Sequence, residues 1–287
     1  GSACGKNLSK ETVGTVGDQK KTNYALRANM TKDEFVKEVL YGISKAPQYF
    51  SKNAKLNQSG YSELEQVLEK SNTPLSVLEF ESHAAKDNII VLDVRTQKDF
   101  IESHIPGSLF IGLNGKFAPW VGALISDIKQ PILLVVPEGK SKEAITRLAR
   151  VGYDYALGYL EGGMEAWVAA GQMSDQLTSI SSLEFEQRTK KQMLSVLDVR
   201  KKEEYDTMHL KLEGLKHISL DKINHGLDQI ETQKTHYIHC AGGYRSVIAA
   251  SILKANRFHN VIDIAGGFAA IKKTELSLSE SICPSTL

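Results

Sequence analysis

Short runs of apolar residues, many of them β-branched, alternate along most of the chain with stretches in which apolar residues recur at helical spacing. Such short runs are typical of strands that are buried on both faces. The five clearest runs are Ile89–Val94, Ile132–Val136, Leu194–Val199, Tyr237–Cys240 and Val261–Ile264. Helices are predicted after two of them, from about residue 142 to 151 and from about 246 to 255. This alternation predicts an α/β fold in which parallel sheets carry helices on both faces.

The first 72 residues follow a different pattern. Thr31 and Glu34 have the spacing of a helix capping box. The apolar residues that follow them at helical spacing are Phe35, Val36, Val39 and Leu40. We therefore predict that residues 1–72 form a mainly helical N-terminal segment outside the α/β region.

An internal repeat organises the rest of the chain. Val91–Arg95, with the sequence Val-Leu-Asp-Val-Arg, recurs unchanged 105 residues later as Val196–Arg200. Two pairs with capping-box spacing share that offset, Ser76 with Glu79 and Ser181 with Glu184. A period of this length is far longer than that of a solenoid and indicates a duplicated domain. We predict a first domain over residues 73–172 and a second over residues 177–287.

Composition narrows the classes of function. The net charge of +1 argues against a broad nucleic-acid-binding face, which needs a basic excess. No apolar run approaches the roughly 20 residues of a membrane-spanning helix. The three cysteines, Cys4, Cys240 and Cys283, have the spacing of neither a disulfide framework nor a zinc site. We expect no metal in this chain, no nucleic-acid or membrane partner, and a reducing cytoplasm.

The segment 237–246 has the most chemical content. It runs from a buried strand through Cys240 and a glycine-rich loop into a helix. The positive end of the helix dipole favours a thiolate at Cys240, and Gly242 and Gly243 allow backbone N–H groups to point inward at an anion. Arg245 adds a permanent charge and a forked donor. These features predict that Cys240 is a nucleophile.

At this point the sequence resembles the rhodanese sulfurtransferases. Asp198–Arg200, His209 and the loop from Cys240 to Arg245 carry the resemblance, which covers residues 73–272 as two tandem domains. The C-x4-R loop is one residue shorter than the C-x5-R loop of phosphatases and arsenate reductases with this fold, and a tighter loop suits a single sulfur atom. The resemblance implies that Cys240 takes sulfur from thiosulfate or a persulfide, becomes a persulfide, and passes the sulfur to a thiol or cyanide. It implies no cofactor in this chain.

The resemblance also implies roles for the residues that follow the cysteine. The backbone N–H groups of the loop are expected to bind the persulfide anion, and Arg245 is expected to help hold an anionic donor. The loop residues assigned to substrate binding in this way are Ala241, Gly242, Gly243, Tyr244 and Arg245. The ring of Tyr244 is expected at the mouth of the pocket.

Asp198 and Arg200 are expected to support the loop through hydrogen bonds or a salt bridge. Asp93 and Arg95 repeat them in the first copy, which has no matching cysteine, so a scaffold role is favoured. His239 is expected to pack in the core, because adjacent strand residues point to opposite faces.

The first copy departs from the pattern at its loop. With an offset of 104, Val136 aligns with Cys240 and Ser141 with Arg245. Pro137 and Glu138 enter the loop, and the carboxylate of Glu138 puts negative charge where an anion would bind. Since valine is no nucleophile, we expect the first domain to be inactive, with a structural or regulatory role.

The N-terminal segment gives a second resemblance. Gly1–Lys6, Thr22–Leu26 and Pro47–Asn57 look like the end of a metallo-β-lactamase-fold domain. In particular, they resemble proteins that fuse a persulfide dioxygenase or hydrolase-like domain to tandem rhodaneses. This implies that the chain is the C-terminal part of a larger enzyme, with an upstream domain as partner. A zinc or iron site is then expected only in that upstream domain.

Two other functions remain open. One is a non-catalytic interaction module that regulates an upstream metallo-hydrolase domain, since the first copy tolerates loss of the nucleophile. The other is a phosphatase or arsenate reductase of the same fold, which the length of the loop disfavours.

Overall fold

A computed structural model of the chain describes residues 13–26, 29–40, 50, 54–55, 58, 60 and 63–280. The chain divides into two compact units, Gly1–Ala46 and Pro47–Leu287. The predicted boundaries at residues 72, 172 and 177 remain predictions, and the segments Gly1–Lys6 and Pro47–Asn57 lie wholly or largely outside the described residues.

The N-terminal unit is helical where it is described. It contains helix α1 (Val16–Thr22), a 3-10 turn (Tyr24–Leu26) and helix α2 (Lys32–Leu40). Thr31 and Glu34 form the reciprocal hydrogen bonds that their spacing predicted, with the Glu34 carboxylate accepting from the Thr31 backbone N–H at 2.8 Å. The prediction of a helical N-terminal segment is confirmed.

The first half of the second unit contains a parallel five-stranded sheet in the order β1-β5-β4-β2-β3. Its strands are β1 (Pro74–Leu75), β2 (Ile90–Asp93), β3 (Leu109–Phe110), β4 (Ile132–Val135) and β5 (Ala156–Leu160). Helix α3 (Leu64–Ser71) precedes the sheet, and the helices between and after its strands are α4 (Val77–Ala84), α5 (Gln97–Glu102), α6 (Phe117–Leu124), α7 (Ser141–Ala149) and α8 (Gly163–Ala169).

The second half repeats this topology, with the strand order β6-β10-β9-β7-β8. The strands are β6 (Thr178–Ile180), β7 (Ser195–Asp198), β8 (Leu215–His217), β9 (His236–His239) and β10 (Val261–Ile264). The helices are α9 (Ser182–Thr189), α10 (Lys202–Thr207), α11 (Ile223–Gly226), α12 (Tyr244–Ala255) and α13 (Gly267–Ile271). Short 3-10 turns flank α11 at Leu220–Lys222 and Leu227–Gln229.

The two sheets confirm the predicted α/β fold and the duplication. Their central strands have the same register, because Asp93 pairs with Val135 in the first sheet and Asp198 pairs with His239 in the second. The loops after β4 and β9 therefore leave equivalent points at the carboxyl edge of each sheet, where open α/β sheets bind ligands.

One capping prediction is only half right. Ser76 and Glu79 form a full capping box at α4. Ser181 accepts a hydrogen bond from the N–H of Glu184, but the Glu184 carboxylate pairs with Arg188 one turn on, at 2.7 Å, instead of returning to the cap. The spacing identified the start of the helix, whereas the nearby cation decided the partner of the carboxylate.

The two repeats share one continuous apolar cluster, in which α12 of the second repeat packs against the edge strand β3 of the first. The backbone N–H of Phe110 in β3 donates to the Ser251 hydroxyl of α12 at 3.0 Å. Satisfying a buried edge-strand N–H in this way avoids the cost of an unpaired polar group. The helix that begins at the glycine-rich loop is thus anchored on the first repeat.

Candidate active site

The loop after β9 places a sulfur atom opposite a backbone N–H. The N–H of Gly243 donates to the Cys240 Sγ, with 3.1 Å between nitrogen and sulfur. Gly243 has φ +109°, a backbone conformation that side chains rarely adopt, so glycine permits this N–H to turn inward. Cys240 is buried, with 1% of its surface exposed. The loop is thus a tight cradle with its sulfur at the bottom.

Ser246 lies on the other side of the sulfur. The Cys240 thiol donates to the Ser246 Oγ at 3.7 Å, and the Ser246 hydroxyl donates to the carbonyl of Gly243 at 2.7 Å. A hydroxyl can also act as a donor, so Ser246 can stabilise negative charge on the sulfur after a change of rotamer. Sequence reasoning missed this residue, although its place just after Arg245 in the first turn of α12 was visible.

Helix α13 closes over the start of the loop. The Phe268 N–H donates to the Cys240 carbonyl at 2.6 Å, and the Ala269 N–H donates to the Ala241 carbonyl at 2.9 Å. Gly267, with φ +54°, lets the two backbones approach this closely, because a Cβ atom there would collide with the Cys240 carbonyl oxygen and lie 3.0 Å from the Ala241 carbonyl carbon. These bonds fix the carbonyl groups of Cys240 and Ala241 at the start of the loop.

The Arg245 side chain is paired with a carboxylate of its own domain and is not available in full to a bound anion. Its two terminal nitrogens donate to the two Glu204 oxygens at 2.5 and 2.7 Å, a bidentate pair. The hydrogen bond from Arg245 lowers the pKa of Glu204, and the same bond raises the pKa of Arg245. Glu204 lies on α10 and was missed by sequence reasoning, because 41 residues separate it from its partner.

Asp198 and Arg200 form a buried pair at the end of β7. Arg200 donates from Nε and a terminal nitrogen to the Asp198 carboxylate and also to the Met208 carbonyl at 2.9 Å. Its guanidinium lies 3.8 Å from the centre of the Phe268 ring, so the pair supports the residue that bonds the Cys240 carbonyl. Asp93 and Arg95 repeat the pair in the first domain, where Arg95 also donates to the Ser103 carbonyl at 2.6 Å. This recurrence without a cysteine favours a scaffold role.

Tyr244 faces the first domain. Its hydroxyl donates to the Gly112 carbonyl at 2.8 Å, and its ring packs edge-on against Phe110 with 5.9 Å between the ring centres. Burial raises the pKa of this phenol far above its ordinary value, so the hydroxyl stays a neutral donor. The ring also borders a cavity, as described below.

His239 is fully buried beside the cysteine. Its ring stacks on Phe268, and its Nε2 lies 3.8 Å from the Asp198 carboxylate. Burial lowers its pKa, so the ring is neutral at pH 7 despite the nearby carboxylate. His104 and His209 are matched structural residues, each bonded through Nδ1 to a carbonyl four residues earlier.

A cavity of about 580 Å³ opens between the domains, next to the loop. Residues of both domains line it, among them Arg95, Gln97, Lys98, Asn114, Ser179 and Tyr244. Gln97 reaches the loop itself, because a Cβ atom on Gly243 would lie 3.0 Å from its side-chain nitrogen. Sequence reasoning did not predict a contribution of the first domain to this region.

The corresponding loop of the first domain has no equivalent group. Val136 is buried, and Gly139 and Lys140 form the turn that precedes α7. Among the described residues, no group of three His, Cys, Asp or Glu side chains could hold a metal ion. In the described part of the chain, no helix has the length and apolar composition needed to cross a bilayer.

Comparison with known proteins decides the family. The sequence profile of the rhodanese-like domain matches residues 76–170 and again residues 181–274. The chain belongs to the rhodanese-like family. Its two rhodanese-like domains lie in tandem, and each match contains four of the five strands of one sheet, beginning just after the edge strand β1 or β6.

Individual relatives match parts of the chain. The proposed sulfur carrier protein YrkF of Bacillus subtilis is 30% identical over 99 residues, and the match covers 34% of this chain and 52% of the length of that relative. A rhodanese-like domain protein of Staphylococcus aureus is 27% identical, with a TM-score of 0.33, and covers 35% of this chain and 97% of its own. A thiosulfate sulfurtransferase of Pseudomonas aeruginosa is 19% identical, with a TM-score of 0.33, over 73% of this chain and 44% of its own.

Proposed function

We propose that the second rhodanese-like domain is a sulfurtransferase and that Cys240 carries the sulfur. The observation that carries this proposal is the Gly243 N–H aimed at the Cys240 Sγ at 3.1 Å inside a C-x4-R loop. An N–H in that position stabilises a sulfur anion in a site from which water is largely excluded. YrkF, whose name denotes a sulfur carrier, supports the same class of chemistry.

The transfer has two balanced steps. In the first, the Cys240 thiolate attacks the outer sulfur of thiosulfate, the sulfur–sulfur bond of the donor breaks, and sulfite leaves with the electron pair. The products are a Cys240 persulfide anion and sulfite, which together carry the same charge as the thiolate and thiosulfate. In the second, cyanide or a thiolate attacks the outer sulfur and the Cys240 thiolate is released. A low-molecular-weight persulfide can replace thiosulfate as the donor, with its thiolate as the leaving group.

We propose that Arg245 shapes the loop more than it binds the donor, because Glu204 already engages both of its terminal nitrogens. The first domain takes no sulfur, since Val136 replaces the nucleophile. The donor and acceptor are small molecules, no cofactor takes part, and a reducing compartment such as the cytoplasm keeps Cys240 available as a thiol.

The fusion to an upstream metallo-β-lactamase-fold domain is a separate proposal. It is supported by the resemblance of the N-terminal residues and would join persulfide oxidation or hydrolysis to sulfur transfer. Sequencing the natural reading frame tests it. A histidine-rich metal motif encoded upstream in the same frame would support the fusion, and an open reading frame without one would contradict it.

A turnover assay tests the sulfurtransferase proposal. Thiocyanate formation from thiosulfate and cyanide is expected with the wild type and with Cys283→Ser, the matched control, and is expected to disappear in Cys240→Ser. A persulfide donor is assayed in parallel by the loss of its sulfane sulfur to cyanide. Equal activity in Cys240→Ser would contradict the proposal. Hydrolysis of an aryl phosphate that depends on Cys240, without sulfur transfer, would favour the phosphatase instead.

The interaction-module alternative gives a different result. In that case Cys240 reacts with neither thiosulfate nor a persulfide. Its alkylation by iodoacetamide is then no faster than that of a buried thiol that accepts no hydrogen bonds. Rapid alkylation of Cys240 that is suppressed by prior incubation with thiosulfate would exclude that alternative.

A further inference from the structure

The first domain holds the ring of Tyr244 on three sides. The hydroxyl donates to the Gly112 carbonyl, and the edge of the ring meets Phe110, as described above. The ring face lies against Gly115, because a Cβ atom at that position would lie 2.6 Å from Cε1 and Cε2 of the ring. All three partners lie in or just after β3 of the first domain. The first domain therefore forms a slot, and the Tyr244 side chain at the end of the Cys240 loop fills it.

Gly115 is a glycine for reasons of space. Its φ lies outside the left-handed region, so its backbone conformation suits any residue. The three atoms nearest to a Cβ at this position all belong to the ring of Tyr244. The sequence of the first domain thus reflects the presence of a ring that belongs to the second.

Tyr244 is also the residue best placed to control the loop. It is the first residue of α12 and directly follows Gly243, whose N–H faces the Cys240 sulfur. Gly242 and Gly243 allow many backbone conformations, so the inward position of this N–H needs support from outside the loop. The first domain supplies it at Tyr244 and, through the Gln97 side chain, against Gly243 itself. A hydrogen-bond donor that is held in place before the reaction stabilises the negative charge that develops on the sulfur.

We infer that the first rhodanese-like domain, which has no nucleophile of its own, holds the Cys240 loop in its sulfur-binding conformation, and that Tyr244 is the positioning residue through which it does so. The inference rests on the proposed sulfur transfer at Cys240. It gives the first domain a function that the sequence left open between structure and regulation.

Two substitutions at Tyr244 and one at Gly115 test the inference. The rates of persulfide formation from thiosulfate and of Cys240 alkylation by iodoacetamide are measured in a single turnover. Tyr244→Ala removes the ring and is expected to slow both on the order of tenfold, because the N–H donor is no longer held. Tyr244→Phe keeps the ring and is expected to recover most of the rate. Gly115→Ala changes no residue of the second domain and is expected to resemble Tyr244→Ala, because the new Cβ displaces the ring.

A double variant and a control separate positioning from unfolding. In the Tyr244→Ala background, Gly115→Ala has no ring to displace and is expected to have no further effect. Gly17→Ala is the matched control, since its new Cβ would lie at an ordinary 3.7 Å from the Thr15 hydroxyl. If the double variant reacted more slowly than Tyr244→Ala, Gly115→Ala would be acting by disturbing the first domain and not through the ring, and the inference would be overturned.

Two further outcomes separate this inference from the proposed sulfur transfer. Wild-type rates in Tyr244→Ala and Gly115→Ala would overturn the inference while leaving sulfur transfer intact. If the wild type forms no persulfide, the proposed function fails, and the alkylation rates of the same variants then decide whether Tyr244 positions the loop.

Discussion

Glu204 engages Arg245 with both carboxylate oxygens, at 2.5 and 2.7 Å, beside the loop that follows Cys240. The arginine of the C-x4-R loop is therefore neutralised by its own domain. About a sixth of the Arg245 side chain is exposed, and about a third of the Glu204 side chain, so water partly screens the pair. We therefore expect the pair to affect which sulfur donors the loop favours.

Glu204→Gln is expected to improve the use of anionic donors. Removal of one negative charge beside the loop favours the thiosulfate dianion over a donor with an uncharged body, by about threefold in KM. Glu203→Gln removes the same charge from the exposed neighbour and serves as the control. The KM values for the thiosulfate dianion and for a persulfide whose alkyl group is uncharged are compared in both variants. An unchanged ratio in Glu204→Gln would show that the pair has no influence on donor choice.

Gly267 and its repeat equivalent Gly163 form a natural pair of controls. Both have left-handed φ values, +54° and +58°, so alanine costs about 1 kcal/mol of backbone strain at either site. Only at Gly267 would the new Cβ also collide with the Cys240 carbonyl, since at Gly163 the nearest atom is 4.0 Å away. Gly267→Ala is expected to cost roughly 1–3 kcal/mol more in urea unfolding and to slow sulfur transfer.

The test compares the transfer rates and unfolding free energies of Gly267→Ala and Gly163→Ala. Gly163→Ala is expected to keep the wild-type transfer rate per folded molecule. Equal unfolding free energies and equal rates for the two variants would mean that the approach of α13 to the Cys240 carbonyl has no energetic importance.

Much of this architecture could be predicted from the sequence, because the central strands are continuous apolar runs and the repeat of Val91–Arg95 at Val196–Arg200 reveals the duplication. The edge strands could not, since β1 and β3 have two residues each, too few for a periodic pattern. The position of Cys240 between a strand and a helix was also readable.

The partners of the loop were beyond sequence reasoning, for a physical reason. Glu204 reaches the loop through packing within the second domain, whereas Gln97 and Gly112 belong to the first domain and reach it through packing of the two domains. Their residue types are common on surfaces, and no local pattern marks them. The contact of Gly267 with the Cys240 carbonyl likewise depends on how α13 lies across the sheet, which no local pattern records.

Buried histidines make the fold sensitive to acid. Burial lowers the pKa of His104, His236 and His239, so the folded chain keeps them neutral below pH 6.5, where the unfolded chain takes up protons. The free energy of unfolding therefore falls as the pH drops below that value, by at most about 1.4 kcal/mol per pH unit for each histidine.

His239→Leu tests the contribution of the residue beside the cysteine. It is expected to reduce the loss of stability between pH 7.5 and 5.5, with His104 and His236 keeping the rest of the slope. Urea unfolding at several pH values measures this. The same pH dependence in the variant and the wild type would contradict a neutral, buried His239.

The first domain is expected to stay inactive when it is given a thiol. In a Cys240→Ser background, Val136→Cys supplies the sulfur, but Pro137 and Glu138 shape the loop and Ser141 stands in the position of the arginine. No persulfide is expected at position 136 after incubation with thiosulfate. A Val136→Cys variant that turned over thiosulfate would show that the loop sequence is not what inactivated this copy.

The most direct test of the account is the intact mass of the chain after incubation with excess thiosulfate and removal of the donor. The wild type is expected to gain the mass of one sulfur atom, which cyanide removes, and Cys240→Ser is expected to gain none. A wild-type chain whose mass does not change, or a gain that persists in Cys240→Ser, would contradict it.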